Sequence, residues 1–180
     1  MLRITTTLFL FIATFFCFPQ DINKLKENNG FRKIKLGTNV LEYPSLVKQS
    51  SDNKGYFNPW YDYNYAFDQY TFKGYEKIGD AKIHRIFVKT LDAKIYEIML
   101  VVDKNEGIFE LLKIAYGNPN TDDIETGALV WRTDNNIECS VTERCEGSEK
   151  LIIRYTDTVL SHMAAEREQA DKKKKIISQF

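Results

Sequence analysis

The alternation of apolar and polar positions predicts a series of strands in the middle of the chain. Residues 82–90 and 94–102 are rich in β-branched and aromatic side chains and are separated by the short turn Leu91-Asp92-Ala93, which predicts a hairpin. The second segment is apolar on both faces towards its end, so we expect a central, well-covered strand. Further strands are predicted at residues 31–37, 70–78, 128–133, 136–142 and 150–156.

Helical spacing of apolar residues predicts a helix after the central strand. Ile108, Leu111, Leu112 and Ala115 follow an i, i+3, i+4, i+7 pattern, so one face of this helix should lie on a sheet. Asp103 with Glu106 has the spacing of a capping box at its start. The end is predicted at Gly117 and Pro119, because glycine ends helices and proline prevents their return.

A final helix is predicted from Thr156 or Asp157 towards Lys175. Its narrow apolar side comprises Val159, Leu160, Met163, Ala164 and Ala170. A shorter, irregular helical turn is expected at residues 40–47, where Pro44 limits its length.

The predicted fold class is α+β, in the order β-α-β-β-β-α-β-β-β-α. Consecutive strands joined by short turns pair antiparallel, and we expect two β-meanders with the helices packed on one face of the sheet.

The first 20 residues have the layout of a secretory signal peptide. Arg3 is followed by an apolar run from Leu8 to Phe18 that only Thr14 interrupts. This run is shorter than the roughly 20 apolar residues of an ordinary membrane-spanning helix. We therefore expect export to the periplasm or the medium, with cleavage near Pro19-Gln20-Asp21 and an uncleaved anchor as the alternative. Residues 21–180 then form a single domain.

Charge and cysteine content narrow the expected partners. Without residues 1–20 the chain has 24 basic and 25 acidic residues, a net charge of −1, which disfavours nucleic acid as a partner. No stable membrane span is expected after cleavage. Cys139 and Cys145 would remain, and in an exported chain they are expected to form a disulfide. Too few clustered histidines and cysteines are present for a zinc site, and we expect no cofactor.

The strongest functional signal is an aromatic segment at residues 55–75. Ten of its 21 residues are aromatic and six of these are tyrosine. From Tyr61 the aromatic positions alternate, which places them on one side of an extended segment. The segment either covers the sheet or presents a recognition surface. The candidate partner-binding residues are Trp60, Tyr61, Tyr63 and Tyr65.

Two functions remain open for this surface, since no catalytic motif accompanies it. The first is a non-enzymatic interaction protein of the cell envelope or the medium that binds another, unknown protein. The alternative is a glycan-binding module, or a weak glycosidase, in which Asp62 or Asp68 would contact sugar hydroxyls.

Two blocks of sequence also resemble known proteins. The segments KIYEIMLVV, GIFELLKIAYGNP and ALVWR, together with NGFRKIKLG at residues 29–37, are similar to small exported bacterial proteins. The order of elements resembles the SmpA/OmlA-like and beta-lactamase-inhibitor-like folds. That resemblance implies a protein that binds other proteins at or outside the cell envelope.

Overall fold

The structure is a computed structural model that describes residues 22–49, 64–67, 75–123, 127–143 and 148–179. Three α-helices lie in these residues: α1 (Asn23–Asn28), α2 (Glu106–Tyr116) and α3 (Thr158–Ile177), together with a 3-10 helix at Val40–Glu42. The strands are β1 (Gly30–Phe31), β2 (Ile34–Lys35), β3 (Leu46–Lys48), β4 (Tyr65–Phe67), β5 (Lys77–Ile78), β6 (Ala81–Leu91), β7 (Lys94–Asp103), β8 (Thr121–Asp123), β9 (Ala128–Arg132), β10 (Ile137–Glu143) and β11 (Lys150–Asp157).

Nine of the described strands form one antiparallel sheet. Its order is β3-β4-β6-β7-β11-β10-β9-β8, and β5 pairs with β6. The strand β7 lies at the centre between β6 and β11, as its apolar faces predicted. The hairpin β6–β7 forms one half, and the meander β8–β11 returns from the far edge to the centre to form the other.

The main core lies on one face of this sheet. Alternate residues of the central strands point into it, among them Ile98, Leu100, Leu151 and Ile153. The helices α1 and α2 and the small β1–β2 hairpin cover this face, since Leu25, Ile34 and Leu112 belong to the same buried cluster. A smaller buried cluster of Met99, Val101 and Ile152 lies on the opposite face. The burial of both faces explains the continuous apolar run in β7.

Helix α2 lies where the spacing predicted it, but begins with a different cap. The side chain of Asn105 accepts a hydrogen bond from the Gly107 backbone N–H at 2.8 Å, whereas Asp103 ends β7. The predicted capping box of Asp103 and Glu106 is therefore wrong. At the other end, Gly117 adopts φ 85°, a conformation in which glycine has no steric penalty.

Helix α3 lies on the surface of the described structure. Asp157 caps it by accepting hydrogen bonds from two backbone N–H groups, but none of its 20 residues is buried. The predicted apolar side does not pack into the core: Val159 and Met163 are each about half exposed. An ion pair of 2.6 Å between Arg167 and Asp92 links the helix to the β6–β7 turn.

The α+β class is confirmed, while the predicted order of elements holds only in part. The strand predicted at residues 31–37 is the hairpin β1–β2, because Arg32 and Lys33 form a turn with Arg32 at φ 54°. The helical turn predicted at residues 40–47 is a 3-10 helix followed by β3. Four elements, α1, β3, β4 and β8, were not predicted; β8 lies in a polar segment whose pairing with β9 overrides its weak strand propensity. Of the strand predicted at residues 70–78, the structure describes β5 at its end, and residues 70–74 lie outside the described residues.

The amino-terminal segment predicted as a signal peptide lies outside the described residues. Among the helices that the structure describes, none has the length and apolar composition needed to cross a membrane.

Candidate functional site

Of the four predicted partner-binding residues, the structure describes Tyr65 only. It lies on β4, directly opposite Lys48 of β3 and Val88 of β6, and its partly buried ring packs against the main core. Trp60, Tyr61 and Tyr63 lie outside the described residues, as do the carboxylates of Asp62 and Asp68. Tyr65 therefore combines a structural contact with a partly exposed ring.

Asn64 fixes the backbone immediately before Tyr65. Its side-chain amide donates a hydrogen bond of 2.9 Å to the Thr90 hydroxyl, and its side-chain oxygen accepts one of 3.0 Å from the Thr90 backbone N–H. The Asn64 backbone oxygen also accepts a bond of 2.9 Å from the Gln49 N–H. Because a side chain substitutes here for a strand partner, the start of β4 is held to both neighbouring strands.

The other end of the aromatic segment is also attached to the fold. Tyr75 packs against Phe31, with ring centroids 6.1 Å apart. The guanidinium carbon of Arg32 lies 5.5 Å from the Tyr75 ring centroid and 5.2 Å from that of Phe31, within cation–π range. Burial raises the pKa of Tyr75, although the Arg32 charge opposes this shift.

The predicted disulfide is not present in the structure, because Cys139 is a free, buried cysteine. It lies within the seven-residue strand β10 and points into the core, directly opposite Trp131 and Tyr155. Cys145 lies outside the described residues. The bridge was expected from the cysteine count in an exported chain, but Cys139 is enclosed within a paired strand of the core.

Cys139 belongs to a buried polar cluster with Tyr116 and Tyr155, which we call the buried trio. The two tyrosine hydroxyl oxygens are 3.4 Å apart, and Cys139 lies directly opposite Tyr155 in the β10–β11 pair. Burial raises the pKa of Tyr116 to about 12 and raises the pKa values of Tyr155 and Cys139 well above their usual ranges. All three groups are therefore neutral at physiological pH.

A neighbouring tryptophan locks the end of α2 onto this cluster. The buried Trp131 indole N–H donates a hydrogen bond of 2.8 Å to the Gly117 carbonyl, and its ring packs edge-on against Tyr116. The Tyr-Gly-Asn-Pro helix end and the tryptophan-bearing strand thus form one structural unit. Their role is to join the helix to the sheet.

A second polar cluster, the rim trio, comprises His84, Asp103 and Lys150. His84 is the extra residue of a β-bulge, since Ile83 pairs with Val102 and Arg85 with Val101. Bulges redirect side chains and are frequent near functional sites. Here the His84 Nε2 atom lies 2.7 Å from Asp103 Oδ1 and 2.7 Å from Lys150 Nζ.

The rim trio holds its charges in mutual contact. Hydrogen bonds from Lys150 and then from His84 lower the pKa of Asp103 to about 2. A neutral imidazole can accept a bond from the Lys150 ammonium group, whereas an imidazole with a hydrogen on Nε2 can donate to Asp103. In either state His84 contacts a charged neighbour. The adjoining pocket, of about 460 Å³, is lined by Asp103, Lys104, Ser148 and Glu149.

The strand predicted at residues 82–90 contains His84, but sequence reasoning missed this cluster. The sequence contains one sign of the β-bulge, a break in the alternation of apolar residues. The buried residues Ile83 and Ile86 are three positions apart within one strand. Strict alternation would space them by two or four. For metal binding, the described residues contain no group of three or more suitable ligands.

Comparison with known proteins shows the family of the chain. Neither a curated protein nor a solved structure matches it, so the resemblance to the SmpA/OmlA-like and beta-lactamase-inhibitor-like folds stays a prediction. A family model described as the TP0088 domain matches residues 29–167, which is more than three quarters of the 180 residues. The chain therefore belongs to the TP0088 domain family.

Proposed function

We propose that the chain is an exported, non-enzymatic interaction protein that binds another protein of the cell envelope or the medium. The proposed contact residues are Trp60, Tyr61, Tyr63 and Tyr65. The observation that supports this function is the anchoring of Tyr65, a partly exposed aromatic residue on a strand held in place by the preceding residue, Asn64. The layout of residues 1–20 supports the export part of the proposal.

Anchoring matters because binding affinity depends on how much freedom is lost in the complex. A tyrosine has two side-chain torsions, and one packed against a core loses little further entropy when its exposed part is covered. Tyr65 meets this condition through its contact with the core cluster. Tyrosine and tryptophan are also enriched at protein interfaces, since they combine a large apolar area with a polar group.

The non-enzymatic part of the proposal is supported by the state of two reactive groups. The Cys139 thiol is buried and has a raised pKa, whereas a nucleophilic cysteine needs a lowered one and access to a substrate. The Nε2 atom of His84 contacts Asp103 and Lys150. Both groups have structural partners that account for their positions.

A capture experiment tests the interaction. The full chain is used as bait against envelope extract and culture supernatant, beside Trp60→Ala/Tyr63→Ala and a matched control, Leu41→Ala/Ile114→Ala. The control truncates two side chains that are 77% and 75% exposed elsewhere on the surface. We expect the wild type and the control to capture the same protein and the aromatic variant to lose it, provided circular dichroism shows all three folded.

Equal capture by all three chains would contradict the proposed surface. Binding of the wild type to a glycan array, lost in the aromatic variant without any protein capture, would instead favour the glycan-binding alternative with Asp62 or Asp68.

A separate experiment tests export. The chain is expressed in a bacterial host with and without residues 1–20, and the product of each cell fraction is measured by intact mass. We expect the complete chain in the periplasm or medium with a new amino terminus near residue 20. An unprocessed chain confined to the cytoplasm would contradict export.

A further inference from the structure

Four exposed cations lie on two neighbouring turns of the described structure. Arg32 and Lys33 form the β1–β2 turn, while Lys77 of β5 and Lys82 of β6 belong to the next hairpin. No ion pair joins any of these four to a carboxylate within the described ranges of the chain. We call this group the cation cluster.

The register places two of these lysines against each other. Lys77 and Lys82 are directly opposite in the antiparallel β5–β6 pair, so their side chains leave the same face of the hairpin. Like charges in this relation destabilise a sheet. An anion bound between the two ammonium groups would offset this repulsion.

Arg32 is the fixed member of the cation cluster. Its guanidinium Nη2 donates a hydrogen bond of 2.5 Å to the Lys77 carbonyl, which joins the β1–β2 turn to β5. The same group lies over the rings of Phe31 and Tyr75. A guanidinium has five N–H donors, and an exposed Arg32 held in this way keeps others for the two oxygens of a carboxylate.

The acidic residues nearby narrow the kind of anion. Asp80 is exposed in the β5–β6 turn, and Glu76 precedes Lys77. With four cations and two acids, the local charge is small. Segments that bind acidic membranes typically carry about 4–8 clustered basic residues, whereas here the two acids reduce four cations to a net charge of +2. Both acids would also repel the phosphates of a nucleic acid. Separate carboxylates on a flexible chain can reach the cations and avoid Asp80 and Glu76.

We propose that Arg32, Lys33, Lys77 and Lys82 form a docking surface for an acidic segment of the partner protein. This inference rests on the proposed function, because it assigns the acidic segment to that partner. Tyr75 belongs both to the Arg32 stack and to the aromatic segment of the sequence. The cation cluster would provide contacts between opposite charges, and the aromatic contact residues would provide apolar contact area.

The test measures binding of the full chain to immobilised poly-L-glutamate by biolayer interferometry in about 50 mM salt, where surface charges are weakly screened. Three variants are compared: Lys77→Glu/Lys82→Glu, Arg32→Gln, and the control Lys24→Glu/Lys173→Glu, which reverses two exposed lysines elsewhere. We expect Lys77→Glu/Lys82→Glu to weaken binding at least about tenfold, Arg32→Gln to weaken it about threefold, and the control to change it less than twofold. If circular dichroism shows that Lys77→Glu/Lys82→Glu is misfolded, Lys77→Gln/Lys82→Gln takes its place.

Three results would overturn the inference: no binding of the wild type, equal loss in the control, or tighter binding to acidic phospholipid vesicles with the same dependence on Lys77 and Lys82. The Trp60→Ala/Tyr63→Ala chain should bind poly-L-glutamate like the wild type. A failure of the cation cluster is therefore distinguishable from a failure of the aromatic surface, since each has its own probe and variant.

Discussion

The buried trio and the rim trio each contain three polar groups, one set in the core and the other at the surface. Tyr116, Tyr155 and Cys139 lie in the main core, where burial raises their pKa values and keeps them neutral. In the rim trio, neighbouring donors lower the pKa of Asp103 to about 2 and keep its carboxyl group charged. Environment therefore sets the ionisation state in each case.

The energetic consequences also differ between the two trios. A buried hydroxyl without a partner costs about 1–3 kcal/mol, so the buried trio must satisfy its own hydrogen bonds. The rim trio is partly exposed, with 41% of the Asp103 side chain accessible, and exposed ion pairs contribute about 0–1 kcal/mol. We expect large effects from changes in the core and small ones at the rim.

The largest expected effect is the protection of Cys139 from chemical modification. A thiol with a raised pKa that is inaccessible in the folded state reacts only through opening of the structure. We expect alkylation to be slower than in urea by a factor of about 1,000 or more. Peptide mass mapping after timed iodoacetamide labelling distinguishes Cys139 from Cys17 and Cys145. Rapid native labelling, or recovery of a Cys139–Cys145 linked peptide, would contradict the structure.

The next effect tests the packing of the buried trio. Tyr155→Ala should lower the free energy of unfolding by about 3–5 kcal/mol, because it removes a large buried ring and leaves a cavity. Tyr155→Phe retains the ring and removes only the hydroxyl, so we expect a loss of about 1 kcal/mol. Urea unfolding followed by circular dichroism measures both. Similar losses in the two variants would mean that the hydrogen bonds, rather than the ring, dominate.

Much of this core could be predicted from the sequence, because its signals are local. The apolar spacing in α2, Gly117 at its end and the apolar, strand-forming segments of β6, β7, β10 and β11 each follow from neighbouring residues. The short elements could not be predicted in this way. The strand β8 depends on pairing with β9, and the turn that divides β1 from β2 has an arginine at positive φ, which residue type does not predict.

The candidate sites were less predictable, because they depend on contacts between distant parts of the chain. Asp103 and Glu106 fit a capping box, yet Asp103 contacts His84 and Lys150, which lie 19 and 47 residues away. The cluster requires both the bulge at His84 and the register of β7 against β11. Similarly, an even number of cysteines in an exported chain suggested a disulfide between Cys139 and Cys145. The alternation of side chains along β10 instead points Cys139 into the core.

At the rim, Asp103→Asn should reveal a modest and pH-dependent contribution. The pKa of Asp103 is lowered in the folded state, so its contribution is present above the ordinary pKa of 3.8 and is lost as the pH falls towards 2. We expect the variant to be less stable by about 1 kcal/mol or less at pH 6, after allowance for solvent screening. Urea unfolding at pH 6 and pH 2.5 should show this difference shrinking. A constant difference would mean that the charge of Asp103 is not involved.

The smallest expected effect separates the Lys150–Asp103 pair from the rest of the rim trio. Lys150→Met keeps most of the apolar side chain and removes the ammonium group, so we expect a loss of a few tenths of a kcal/mol. Combining it with Asp103→Asn in a double-mutant cycle should give a coupling energy of about 0.2–1 kcal/mol that falls when salt is raised. The matched cycle uses Lys172→Met and Glu168→Gln, an exposed i, i+4 pair in α3. A larger coupling for Lys150 and Asp103 than for this pair would show that the bulge at His84 strengthens the rim contact. Equal values would make it an ordinary surface ion pair.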